Sequence, residues 1–315
     1  MADAVSVESL SRNYGDRLAL DGVSFRVSAG ECLGILGPNG GGKTTLFRIL
    51  VTLLTPSAGR ACICGLDVTI ERHAARRRIG VVFQSPSLDV HLTARENLRH
   101  AGHLYGLSGA SLEDRVVDNL QRLDLADRAD DLVKTLSGGL RRRVELAKAV
   151  LHQPAVLILD EPSTGLDPSA RRQFWQELQE LRRRTGVTIL LTTHFIEEAD
   201  RCDLVAILDR GRMVASGSPA ELKGRIGGDC ITIQCDHAAD LSERISRGLN
   251  CRCRLVEGDI RIEALEGPVL IARLMNAFAA DVRAVTLGRP TLEDVFMQET
   301  GHRFEGGGAL KEEVG

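Results

Sequence analysis

Nine consecutive residues, Gly37-Pro38-Asn39-Gly40-Gly41-Gly42-Lys43-Thr44-Thr45, have the types and spacing to hold a phosphate group. They fit G-x-x-x-x-G-K-[ST], and their flanks agree: Cys32 to Leu36 reads as a buried strand and Thr44 to Leu50 as a helix. With no Cβ in the way, the glycines let backbone N–H groups turn inward, and a helix N-terminus adds partial positive charge facing a nucleotide. Lys43 would then neutralise the β- and γ-phosphates, and the Thr44 hydroxyl would ligate Mg²⁺. A glycine-rich turn before an ordinary helix would need neither the lysine nor the threonine.

Further candidates lie downstream. Ala155 to Leu159 reads as an apolar strand carrying Asp160 and Glu161 at its C-terminal tip. In a nucleotide site the first carboxylate would hold Mg²⁺, and the second would be placed to take a proton from water. Leu136-Ser137-Gly138-Gly139-Leu140 runs straight into a helical pattern, a second glycine-flanked helix start with Ser137 near its N-cap. Gln84 ends the strand pattern Ile79 to Phe83, and His194 lies just past the strand Val187 to Thr193. Both point to the edge where open α/β sheets bind ligands. Tyr14, beside the turn-marking Gly15, could stack on a base for about 1–3 kcal/mol. Asp167 and Pro168 suit the N-cap and N1 positions of the next helix.

The elements that must position these residues alternate between strand and helix. Residues 5 to 29 alternate as strands would, and Arg60 to Cys64 is a short strand. From 86 to 135 the pattern is helical: Thr93-Ala94-Arg95-Glu96 is a capping box for a helix stopping at Gly106, and a second helix runs from about Leu112 to Leu123. Gly224 to Gly228 reads as a linker. Beyond it come a strand (Ile231 to Cys235), a helix (Ala239 to Leu249), a hairpin (Cys251 to Val256, Ile260 to Ala264), a helix (Val269 to Ala279) and a strand (Val282 to Leu287). That order, βαββαβ, is the split-βαβ or ferredoxin-like pattern. Pro290 to Phe296 opens a final helix ending at Gly301, and residues 301 to 315, with Gly306-Gly307-Gly308, are expected to be a disordered tail.

At 315 residues the chain can hold one large domain and a smaller one. A net charge of −3, a pI near 6.3, and 43% hydrophobic and 26% charged residues argue against a basic nucleic-acid binder and against a disordered chain. Three arginine runs, Arg76 to Arg78, Arg141 to Arg143 and Arg182 to Arg184, fall within helical patterns and read as solvated helix faces. No apolar window approaches the roughly 18 residues of a membrane span, and Met1-Ala2-Asp3-Ala4 does not open like a signal peptide. A soluble, cytoplasmic chain is expected. The eight cysteines include no C-x-x-C pair; Cys62/Cys64 and Cys251/Cys253 have strand spacing and read as small buried thiols. His100 and His103, one helical turn apart with no carboxylate or thiol beside them, read as surface residues.

In this order and spacing, over roughly residues 5 to 225, the motifs resemble the ATP-binding-cassette ATPases. The resemblance makes Gly37 to Thr45 the phosphate loop, Gln84 the loop glutamine near Mg²⁺, and Leu136 to Leu140 the signature. It makes Asp160-Glu161 the carboxylate pair, Ser163 to Asp167 the dimer-face loop, His194 the switch histidine and Tyr14 the adenine-stacking aromatic. The implied fold is α/β, a P-loop core over residues 1–225 with antiparallel β and helical subdomains, the helical one spanning about 86–150. An accessory α+β domain, 229–300, follows. The resemblance further implies a homodimer with two sandwiched ATP molecules. Lys43, Thr44, Gln84, Asp160, Glu161 and His194 would come from one subunit, and Ser137, Gly139 and Asp167 from the other, with Gly138 of the signature also among the nucleotide-binding residues. Two residues depart from the pattern: Leu140 stands where the signature usually has Gln, and Gly41 where Ala or Ser is commoner, which should loosen the loop.

The ending Pro290 to Gly301 resembles the drug-resistance (daunorubicin-resistance-like) subfamily, the ATPase halves of exporters with a separate membrane subunit. That implies an integral-membrane permease docking on Gln84 and residues 86 to 135, a peripheral place at the inner face of the cell membrane, and export of drugs or other hydrophobic compounds. Two alternatives stay open: an importer ATPase with a regulatory C-terminal domain, and a soluble cassette ATPase acting on nucleic acid or ribosomes. Double cassettes, coiled coils or zinc insertions of the latter kind are not visible, so no nucleic-acid partner is expected.

Overall fold

Hydrophobic alternation along the first 28 residues makes a hairpin, β1 (Asp3–Tyr14) and β2 (Arg17–Ser28), whose Val5, Val7, Leu10, Leu20, Val23 and Val27 are buried. The computed structural model describes residues 3–256, 258–302 and 304. After the hairpin come β3 (Cys32–Leu36), helix α1 (Lys43–Leu50), β4 (Ala58–Ile63) and β5 (Leu66–Asp67). The sheet order β2-β1-β4-β5 is antiparallel. Cys64, expected to share a strand face with Cys62, lies past the end of β4 with φ 49° and is exposed, because the chain turns there.

The chain continues through α2 (Arg72–Arg76), β6 (Ile79–Val82), α3 (Ala94–Leu104), α4 (Gly109–Arg122) and α5 (Gly138–Val150). The capping box at Thr93 and Glu96 forms as read from sequence. Next are β7 (Val156–Asp160), α6 (Pro168–Thr185), β8 (Thr188–Thr193), α7 (Ile196–Ala199), β9 (Leu204–Asp209) and β10 (Arg212–Gly217). The central sheet runs β10-β9-β3-β8-β7-β6, parallel except for the β10/β9 pair. Every residue of β3, β7 and β8 is buried, as strands covered on both faces require. Strands β9 and β10 lie in a stretch that carries no motif.

Past α8 (Pro219–Gly224) a third sheet forms from β11 (Asp229–Gln234), β12 (Cys253–Val256), β13 (Asp259–Ala264) and β14 (Ala284–Gly288). Helix α9 (Ala238–Leu249) follows β11, and α10 (Gly267–Phe278) precedes β14. The sheet order β12-β13-β11-β14 is antiparallel throughout, so each βαβ pair is split by a strand of the other. The last helix, α11 (Leu292–Thr300), returns to the P-loop core: Leu292, Val295 and Phe296 share a cluster with Leu36, Val205 and Ile207. Phe304 joins that cluster, edge-on to Phe296 at 4.9 Å, and His302 Nε2 is 3.2 Å from Asp209 Oδ2. The expected disorder therefore does not begin at residue 301, while Gly306 to Gly308 lie outside the described residues.

The arginine runs divide. Arg76 to Arg78 are exposed as expected, but Arg142 and Arg143 are 7% and 8% exposed, which corrects the solvated reading of the second run. Their carbonyl and carboxylate partners come from distant parts of the chain, which no helical pattern reveals.

Candidate active site

Four adjacent parallel strands, in the order β3-β8-β7-β6, bring their C-terminal ends to one edge of the sheet. The phosphate loop follows β3, His194 follows β8, Asp160-Glu161 end β7, and Gln84 follows β6. Residues up to 157 positions apart in sequence thus meet because parallel strands share a direction.

The loop is packed tightly. Gly42, the N-cap of α1, has φ 107°, and a Cβ there would stand 2.8 Å from Ala19 O and 3.0 Å from Leu20 Cδ2. Gly41 is held on both sides, its N–H donating to Pro38 O (3.1 Å) and its carbonyl accepting from Gly211 N (2.9 Å), two bonds that oppose the loosening expected there. Lys43 is 4% exposed; its ammonium donates to the Gly37 and Pro38 carbonyls (2.8 and 3.1 Å) and pairs with Glu161 Oε1 at 3.2 Å.

Glu161 is the hub. Gln84 Nε2 and His194 Nδ1 each donate to its Oε2 at 3.1 Å, and the Thr164 hydroxyl adds a third bond at 3.3 Å. Its φ of 43° is unusual for a residue with a side chain and is held by two bonds from its own N–H, to Thr192 O (3.1 Å) and Oγ1 (3.0 Å). Burial works to raise its carboxyl pKa, but the His194 hydrogen bond and the Lys43 ammonium outweigh burial and hold it at about 2. Asp160, 4% exposed, moves the other way: burial raises its pKa against a bond from the Thr192 hydroxyl at 2.5 Å.

A cavity of about 350 Å³ is lined by Tyr14, Pro38, Asn39, Gly40, Gly42, Lys43, Thr44, Thr45, Gln84 and Glu161, together with Arg17 and Arg48. Gly37, Gly41 and Asp160 are buried and are not among the residues that line it. Tyr14 is 44% exposed with the Arg12 guanidinium 5.0 Å from its ring centroid. The Thr44 hydroxyl and Gln84 amide line this cavity and the Asp160 carboxylate is buried at the tip of β7; hydroxyl, amide and carboxylate oxygens are the donor types that suit a hard divalent cation. A second cavity of about 460 Å³ is lined by Ser137, Gly138, Gly139 and Asp167 and shares no lining residue with the first. Ser137 and Asp167 are both N-caps, Ser137 accepting from Leu140 N and Asp167 from Ser169 and Ala170 N. Leu140 packs against the apolar core, a role its aliphatic side chain suits better than an amide.

Sequence reasoning missed the residues that hold these groups. Thr193 donates to Glu198 (2.6 Å), Ser163 also bonds Glu198, and Glu198 is 2% exposed. A pair of threonines ending an apolar strand, with a glutamate five residues on, was the available signal. Arg142 gave none.

A nucleoside-triphosphatase of the P-loop class is what this fold and site define: a glycine-rich cradle between strand and helix, and two carboxylates on a nearby strand tip. The family described as ABC transporter matches residues 20–164. The daunorubicin resistance ATP-binding protein DrrA3 of Streptomyces coeruleorubidus is 41% identical over 96% of this chain and 97% of its own length. The Nod factor export ATP-binding protein I of Ralstonia nicotianae is 41% identical over 95% of this chain and 94% of its own. Among solved structures, CbiO1 of Clostridium perfringens, part of the transporter complex CbiONQ, superposes with TM-score 0.67 at 30% identity, covering 79% of this chain and 97% of that one. The dimeric post-hydrolysis cassette MJ0796 bound to ADP and Pi gives 0.62 at 27%, over 68% and 98%. The chain belongs to the ABC transporter family, as an ATPase that binds and hydrolyses ATP. No helix among the described residues is long and apolar enough to cross a membrane.

Proposed function

We propose that this chain is the ATPase subunit of an exporter in which two copies close on two ATP molecules and drive a separate integral-membrane permease. The observation that carries the reading is the division of the site. Lys43, Thr44, Gln84 and Glu161 line one cavity, and Ser137, Gly138, Gly139 and Asp167 line another, so each copy offers two unlike halves. A head-to-tail pair joins the first half of one copy to the second half of its twin.

Lys43 is held by Glu161. The phosphates of ATP compete for that ammonium, and Lys43 turning to them removes one cause of the low Glu161 pKa. Gln84 and His194 keep the carboxylate oriented, and Glu161 accepts the proton of the attacking water. Thr44, Asp160 and Gln84 would hold Mg²⁺, which would supply neutralising charge at the phosphate oxygens. Tyr14 offers its face to the adenine. Hydrolysis removes the phosphate bridge between copies and lets them part.

The names of the relatives support the direction, outward, and a cargo of drugs or other hydrophobic compounds. A groove of about 1120 Å³ between α2, β6 and α3, edged by Leu53 and Leu104 at 59% and 89% exposure, suits the permease and would hold the chain at the inner face of the membrane. Residues 1–225 form the nucleotide-binding domain in this reading, with 86–150 as its helical part and 229–300 as a ferredoxin-like accessory domain. The test is purification of the tagged chain from membranes. A multi-span protein should accompany it, whereas ribosomes or DNA in its place would overturn the transport reading.

A further inference from the structure

We propose that Arg142, with Glu145 one turn further along α5, is a positioning pair that ties the signature helix to the backbone flanking both Gln84 and Glu161. Its transmitting role between copies rests on the two-copy reading above; the tie itself does not. The Arg142 guanidinium is 7% exposed, and its hydrogen-bond acceptors among the described residues are main-chain carbonyls: Pro162 O at 2.5 Å, Phe83 O at 2.6 Å and Asp160 O at 3.5 Å. Those carbonyls stand immediately before Gln84 and on either side of Glu161. Glu145, 1% exposed, accepts from Ser87 N at 2.6 Å and from the Ser87 hydroxyl at 3.2 Å, three residues past Gln84. Gln84 is thereby bracketed by two anchors that sit three residues apart on one helix, hence on one face.

The chemistry explains the choice of side chain. A guanidinium is a rigid plane of five N–H donors, so it can hold two separate loops at a fixed distance, where an ammonium is a single point. The helix carrying it begins at Gly138, in the second cavity, about 6 Å of helical rise from Arg142. A twin's ATP pressing on the Ser137 end therefore moves Arg142 with the helix, and Gln84 and Glu161 follow as one unit. Arg142 touches no reacting atom and works only through these two residues.

Hydrogen exchange of the full-length, nucleotide-free chain tests the tie. In Arg142→Gln, segments 82–88 and 160–166 should exchange about tenfold faster while α1 and β3 keep their rates. ATP turnover should show kcat down about tenfold with KM changed less than about twofold, because no nucleotide contact is lost. Arg142→Lys should restore protection to one segment only. Should Arg142→Gln fail to fold, Glu145→Gln should speed exchange at 84–88 and leave 160–166 alone. Unchanged exchange in both segments with kcat retained, or faster exchange everywhere with KM and kcat falling together, would overturn the pairing. An unsubstituted chain that never dimerises with ATP would sink the two-copy reading and leave the exchange result to decide the tie.

Discussion

Lys43 Nζ stands 3.2 Å from Glu161 Oε1, so the cation of the phosphate loop is paired with the carboxylate just past the end of β7. In the mechanism proposed above the phosphates compete for that ammonium, so their arrival frees Glu161 to act as the base. Neutralising Glu161 should separate the two events. Glu161→Gln is expected to bind ATP at least as tightly as the unsubstituted chain, hydrolyse it about 100-fold or more slowly, and accumulate ATP-bound dimers on sizing columns. Full turnover by the variant would remove Glu161 from the mechanism.

The same pair predicts an acid response. Glu161 is held at about 2 against an ordinary 4.5, so between those values the unfolded chain binds the extra proton. The stabilisation is complete above pH 4.5 and is lost as pH falls toward 2. Denaturant unfolding of the nucleotide-free chain across this window should show a loss of up to about 3 kcal/mol that Glu161→Gln lacks. Parallel pH curves for the two chains would count against the ion pair.

Leu140 occupies the signature position where glutamine is usual, and it rests on the core formed by the helical segment and α6. Leu140→Gln should lower stability by about 1 kcal/mol through a partly buried amide. ATP turnover should keep its order of magnitude, since Ser137 and the Gly138 and Gly139 N–H groups remain. A tenfold gain or loss in kcat would show that the side chain itself meets the nucleotide.

Gly42 is fixed by its surroundings as well as by its φ of 107°. In Gly42→Ala the new methyl would press on Ala19 O and Leu20 at the base of the loop, at a local cost of about 1–3 kcal/mol. Titration with a fluorescent ATP analogue should show about tenfold or greater weakening, with the far-UV spectrum unchanged. Unaltered affinity would mean that the loop can reshape around a Cβ.

What the sequence determined by itself was local. The phosphate loop between strand and helix, the caps at Thr93, Ser137 and Asp167, and the buried run of β7 each depend on a few neighbouring residues, and each forms as read. Tertiary structure decided the rest. Nothing near Arg142 in sequence distinguishes a solvated arginine from one that grips Phe83 and Pro162, because its partners arrive only when β6 and β7 pair. Residues 195–217 carry no motif, yet they supply the two strands that complete the central sheet, and Leu208 backs the phosphate loop. Lys43, Gln84, Glu161 and His194 meet because parallel strands deliver their C-terminal ends to one edge, a consequence of strand order that no single stretch of sequence contains.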